Sequence, residues 1–119
     1  MAASLDRIGW YTGPASGTGG EYIEVQTDGT LSRFPGVTLS KGEMVTGLAL
    51  TDSLSLVSVQ DSQAHKNRIV AVDRATRSWQ PVSIENFSGS IGYLYGGDGD
   101  RVVVPGNDFN TVKLFRVLQ

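Results

Sequence analysis

The chain has no cysteine, which removes disulfides, zinc–thiolate sites and thiol nucleophiles together. Histidine occurs once, at His65, between Ala64 and Lys66 in a polar stretch. Nothing near it pairs a base with a nucleophile, so it reads as a solvent-facing side chain. None of the many serines sits in a Gly-x-Ser-x-Gly elbow. Lysine is confined to positions 41, 66 and 113, and the formal net charge is −2 with acids and bases interspersed. Without a basic stripe to neutralise phosphates, no nucleic-acid partner is expected. No apolar run approaches the roughly 20 residues that span a bilayer, and the first residues lack the pattern of a signal peptide. No membrane contact is expected, and the location is read as cytoplasmic or within a larger particle such as a virion. Helical windows are also missing, because Gly, Pro or β-branched residues interrupt each of them.

What remains is a β-rich sequence of 119 residues, one domain in length, with 15 glycines and 39% hydrophobic residues. The last third, from Ser88 to Gln119, shows the pattern most clearly. Ile91 to Tyr95 is aliphatic and aromatic, and Val102 to Val104 is a β-branched run. Asn110 to Leu118 alternates through Val112 and Leu114, then carries Phe115 and Val117, which predicts a strand covered on both faces. The turn Gly96 to Asp100 and the stretch Pro105 to Asp108 separate these runs.

The same order of runs recurs earlier, about 45 residues back. Thr46 to Leu50 lies over Ile91 to Tyr95, Leu56 to Val59 over Arg101 to Val104, and Asn67 to Val72 over Asn110 to Phe115. A third, shorter copy opens with Ile8-Gly9-Trp10-Tyr11-Thr12 and continues at Glu21 to Val25. Its middle run is replaced by the Gly/Ser/Thr loop from Pro14 to Gly20. Further strands are predicted at Leu31 to Phe34, after an Asp28-Gly29 hairpin turn, and at Ser78 to Ile84. Pro81 predicts that the latter is an edge strand. Alternation breaks at Val57, where a bulge or burial on both faces is expected.

The expected fold is therefore all-β: one domain over residues 1–119, with short antiparallel strands in two to three meander-like units, near 6–40, 41–87 and 88–119. That unit length is the period of propeller blades. The segment from Gly99 to Phe115 resembles the second half of a WD40-type blade, with Asn110-Thr111-Val112-Lys113-Leu114 as its strand. Phe115 stands where that family has tryptophan and Arg116 where it has aspartate, and the upstream glycine–histidine pair is absent. The resemblance covers residues 44–119 and implies a propeller-like scaffold. Two or three blades cannot close a ring, so it also implies assembly between chains. A β-sandwich or barrel and a β-trefoil are the alternatives.

Candidates for chemistry are few. Asp98, Asp100 and Asp108 with Asn107 and Asn110 gather oxygens, but no glutamate closes the loop as in calcium sites, and tight turns explain them. Gly17-Thr18-Gly19-Gly20 lacks the lysine and helix of a phosphate loop. The aromatic residues Trp10, Tyr11, Tyr93 and Tyr95 beside Gly-rich stretches are the candidate binding residues. The string from Gly9 to Gly13 resembles one found in small fucose-binding propeller lectins built from two-blade subunits. Trp10 and Tyr11 point to opposite faces of a strand, so at least one of them is expected in the core, Trp10 foremost.

The leading expectation is a non-catalytic structural or interaction protein that self-associates or docks on a larger assembly. A propeller-like scaffold or a phage virion component, such as a capsid-decorating or tail-associated subunit, fits it. The alternative is a carbohydrate-binding, lectin-like module assembled from repeats. No enzyme activity, cofactor or metal is expected, and the expected partner is protein, foremost further copies of the chain.

Overall fold

A computed structural model of the chain describes residues 2–3, 6–12, 20–61, 63, 66–84, 95–96, 99–105 and 112–118. Among these every regular element is a strand, and all ladders are antiparallel. The N-terminal part forms a four-stranded sheet in the order β1 (Ala2–Ala3), β2 (Arg7–Thr12), β3 (Glu21–Gln26) and β4 (Leu31–Pro35). The predicted Asp-Gly turn joins β3 to β4. Gly29 takes φ 90°, and the Asp28 carboxylate accepts from Thr30 N at 2.9 Å.

The rest forms one seven-stranded sheet. Its strands are β5 (Glu43–Leu50), β6 (Ser55–Asp61), β7 (Lys66–Asp73), β8 (Ser78–Ile84), β9 (Tyr95–Gly96), β10 (Arg101–Pro105) and β11 (Val112–Leu118). The order across it is β5-β6-β7-β8-β11-β10-β9. The middle and last sequence units are thus fused, because β8 pairs with β11 through Ile84↔Val117 and Ser83↔Leu118. They share one curled sheet, the barrel alternative.

The two outer strands of this sheet meet. A methyl group on Gly96 would lie 1.7 Å from the Leu50 carbonyl oxygen, so only glycine fits at the seam. Asp52 N donates to Gly99 O at 3.0 Å, and Gly99 N donates to the Asp52 carboxylate at 2.9 Å. Seven strands chained antiparallel leave β5 and β9 running the same way. An antiparallel ladder cannot join them, and turn contacts hold the seam instead.

Two apolar layers result. The barrel interior is Ala49, Leu54, Leu56, Ile69, Ala71, Ile84, Val102 and Val117. The outer wall of β5–β8 carries Val57, Val59, Val70, Leu50 and Val72, covered by Val37 and Leu39 of the connector and by Tyr22 and Phe34 of the N-terminal sheet. Strand β6 sits between the layers and is buried on both faces, as the broken alternation at Val57 suggested. The bulge itself lies one strand away, between Val45 and Gly47.

Two expectations are corrected. Strand β8 is interior in the sheet order. Pro81 is tolerated because its ladder to β11 involves only residues 83 and 84, beyond the proline. Strand β11 is covered on one face at its described end. Val117 is buried, while Arg116 and Leu118 are exposed.

Candidate functional site

The N-terminal sheet docks on the barrel wall with an unusual face. Along β2, Arg7, Gly9 and Tyr11 point inward; along β3, Tyr22, Glu24 and Gln26 do; along β4, Ser32 and Phe34 do. Glu24 has no exposed surface and Arg7 is 3% exposed. Such burial is tolerated only when every charge is paired and hydrogen-bonded. The Glu24 carboxylate accepts from Tyr22 OH at 2.9 Å, Ser55 Oγ at 2.7 Å, Arg7 Nε at 3.3 Å and Gln26 Nε2 at 3.4 Å. It also accepts from Arg74 Nε at 3.0 Å, and from the NH2 group of Arg74. Arg7 in turn donates to the Leu54 carbonyl oxygen and to Asp6 Oδ1 at 2.9 Å. This clasp joins β2 and β3 to β6 and to the β7–β8 turn.

The turn is shaped to deliver it. Asp73 Oδ1 accepts from Ala75 N at 2.9 Å, and Arg77 adopts the left-handed φ of 59°. The turn thereby aims Arg74 at Glu24 and sets the Arg77 guanidinium 4.9 Å above the Phe34 ring. Gly9 leaves space for the Tyr22 hydroxyl, which would lie 2.7 Å from a β-carbon there.

Burial pushes the Glu24 pKa up, but hydrogen bonds from Arg74 and Ser55 and the charge of Arg74 outweigh it and hold the carboxyl below its ordinary value. Burial raises the Tyr22 phenol well above its ordinary range, so Tyr22 remains a donor. All donor groups that reach Glu24 are thus accounted for by packing of one sheet on another. The geometry is that of a packing contact: the Glu24 carboxylate and the Tyr22 and Ser55 hydroxyls that reach it are buried between the two sheets.

The opposite, outer face of the same sheet is apolar. The register puts Trp10, Ile23 and Arg33 in one row and Ile8, Val25 and Leu31 in the next. Ile8 is 40% exposed and Leu31 52% exposed. None of these five apolar residues joins a core cluster among the described residues. At one end, Arg33 pairs with Glu21 at 2.7 Å. Sheets normally bury their apolar face and solvate the polar one. This sheet departs from that arrangement: its inner face mixes aromatic residues with buried Arg7 and Glu24, while its outer face keeps five apolar residues out of the core clusters, and that outer face is the candidate functional site.

The predicted aromatic residues fall in different surroundings. Trp10, expected in the core, instead lies on the outer face, because the strand's core-facing set is Arg7, Gly9 and Tyr11. Tyr11 turns inward, 6.4 Å from the Trp79 ring, and its hydroxyl accepts from Val37 N at 2.8 Å. Tyr95 is 56% exposed on β9 of the other sheet. Tyr93 lies outside the described residues, as do His65, Asp98, Asn107, Asp108, Asn110 and the loop residues 13–19. Asp100 ties two turns together, accepting from Ser53 Oγ at 2.6 Å and Thr51 Oγ1 at 3.0 Å. Hydrogen bonds from Ser53 lead the causes that hold its carboxyl below the ordinary value.

Sequence reasoning missed Ile8, Ile23, Val25 and Leu31 as site residues, and Glu24 as a core residue. The alternation in both strands was visible; which face was covered was not. Among the described residues no helix is long and apolar enough to cross a membrane, and no cluster of His, Asp or Glu could hold a metal ion. No family model, curated protein or solved structure matches the chain.

Proposed function

We propose that the chain is a non-catalytic structural subunit that docks on protein through the outer face of its N-terminal sheet. The observation that carries this reading is the set of apolar residues on the outer face of that sheet, outside every core cluster among the described residues. Its inner face sets Arg7 and Glu24 against the barrel, where Arg74 of the β7–β8 turn meets Glu24, while Ile8, Trp10, Ile23, Val25 and Leu31 are turned outward. A contiguous apolar face rimmed by an ion pair is the ordinary anatomy of an interaction site. Trp10 supplies the aromatic anchor that such sites favour.

The reading is tested by placing a benzophenone amino acid at position 31 in the cells that naturally hold the protein. Irradiation is expected to yield a protein adduct at position 31 and none at the exposed turn residue 28. Absence of any adduct at position 31 overturns the reading.

A further inference from the structure

We infer that the occupant of this face is a second copy of the chain, packed face to face about a twofold axis along β3. The inference rests on the docking reading above and deepens it. Such an axis lays β2 of each copy over β4 of the other, with the rows kept in line. The row Trp10–Ile23–Arg33 then meets its own reversal. Each Trp10 faces Arg33 of the second copy, an aromatic face against a guanidinium, and Ile23 meets Ile23 at the axis. In the next row Ile8 faces Leu31, and Val25 meets Val25. Any row centred on β3 meets its own reversal about this axis; what suits this face to an isologous contact is that each facing pair is chemically compatible, apolar on apolar and tryptophan on arginine.

Charge agrees. The face holds one arginine and one glutamate, already paired at 2.7 Å, so two copies approach without net repulsion. Side-by-side joining through the free edge of β4 is disfavoured. Pro35 has no N–H to offer, and its carbonyl already accepts from Trp79 Nε1 at 2.7 Å. Strand spacings give the three overlapping strands roughly 300 Å² of projected area per copy. That is small beside the roughly 800 Å² per partner of standard interfaces, so the dimer dissociates on dilution.

The test is light scattering of the full chain from low micromolar to millimolar concentration. The mass is expected to climb from one chain toward two. Trp10→Arg, which sets arginine against arginine, should weaken the dimer at least tenfold, and Arg33→Trp alone should also change it. The double swap Trp10→Arg with Arg33→Trp restores the facing pair and should recover most of the affinity. Circular dichroism and thermal melting confirm that each variant folds. Leu31→Arg, outside the swapped row, should leave a folded monomer at all concentrations. A wild-type monomer throughout, or a dimer indifferent to Leu31→Arg and to the swap, overturns the inference. If the chain is monomeric while position 31 still forms an adduct with a different protein, the second copy is excluded and the docking reading stands.

Discussion

The two sheets solve the same packing problem in opposite ways. The seven-stranded sheet curls around Leu56, Ile69, Ile84 and Val102, and its interior holds together mainly by apolar burial, with no charged side chain in its cluster. The N-terminal sheet packs on its neighbour through an aromatic group and through buried Arg7 and Glu24, which the partly exposed Arg74 of the barrel closes off, and leaves aliphatic residues outside. Apolar contacts are forgiving about register and angle, whereas converging hydrogen bonds on one carboxylate are not. The clasp therefore fixes how the small sheet sits, and with it the outward face, more sharply than further leucines would.

The largest effect that separates the two regions comes from breaking the clasp. Glu24→Gln removes the buried carboxylate on which Arg7 and Arg74 converge, leaves Arg7 only the exposed Asp6 as countercharge, and should cost about 3–5 kcal/mol in urea unfolding. That equals or exceeds Leu56→Ala in the barrel, where removal of a fully buried leucine costs about 2–5 kcal/mol. Replacing the three charges together, as Arg7→Met with Glu24→Leu and Arg74→Met, should by contrast be near neutral, because no charge is then stranded. A Glu24→Gln variant as stable as wild type would show that solvent reaches the cluster and that the two regions do not differ in kind.

Most strands were legible from the sequence because alternation and turn residues are local. Tyr22-Ile23-Glu24-Val25 reads as a half-buried strand, and Asp28-Gly29 as its turn. The choice of buried face was not legible. In isolation Glu24 looks like the wet side and Ile23 with Val25 the dry side. The donors that reverse the assignment, Ser55 and Arg74, lie 31 and 50 residues away. The joining of β8 to β11 escaped notice for the same reason. The repeats marked the hairpins within each unit, but the ladder between units depends on how the whole sheet curls.

Acid titration sharpens the contrast at a smaller magnitude. Glu24 is held below its ordinary value of 4.5, so its stabilisation is present above that pH and is lost as pH falls through the lower, folded value. Wild type should therefore lose melting temperature on acidification more steeply than Glu24→Gln. At the alkaline end Tyr22 is raised, so its contribution is present below its ordinary value of 10.0 and is lost as pH rises above it toward the folded value. Tyr22→Phe should flatten that limb. Equal slopes for wild type and both variants would mean that the clasp is not closed in solution.

The smallest effect is expected where the sequence appears most hydrophobic. In dilute solution Leu31→Ser, at a site 52% exposed, should change stability by no more than about 0.5 kcal/mol. The same residue type at Leu50, 2% exposed on the barrel wall beneath the small sheet, should cost several times more on truncation. A Leu31→Ser variant that is strongly destabilised would mean that the outer face is part of the chain's own core, and the distinction between a packing face and a docking face would fall. If instead that substitution spares the fold and removes the adduct at a neighbouring probe position, then Leu31 is kept for contact with another surface. Arg7 and Glu24 on the reverse side, tied to Arg74 of the barrel turn, are then what allow the sheet to hold its place while its apolar residues are turned outward.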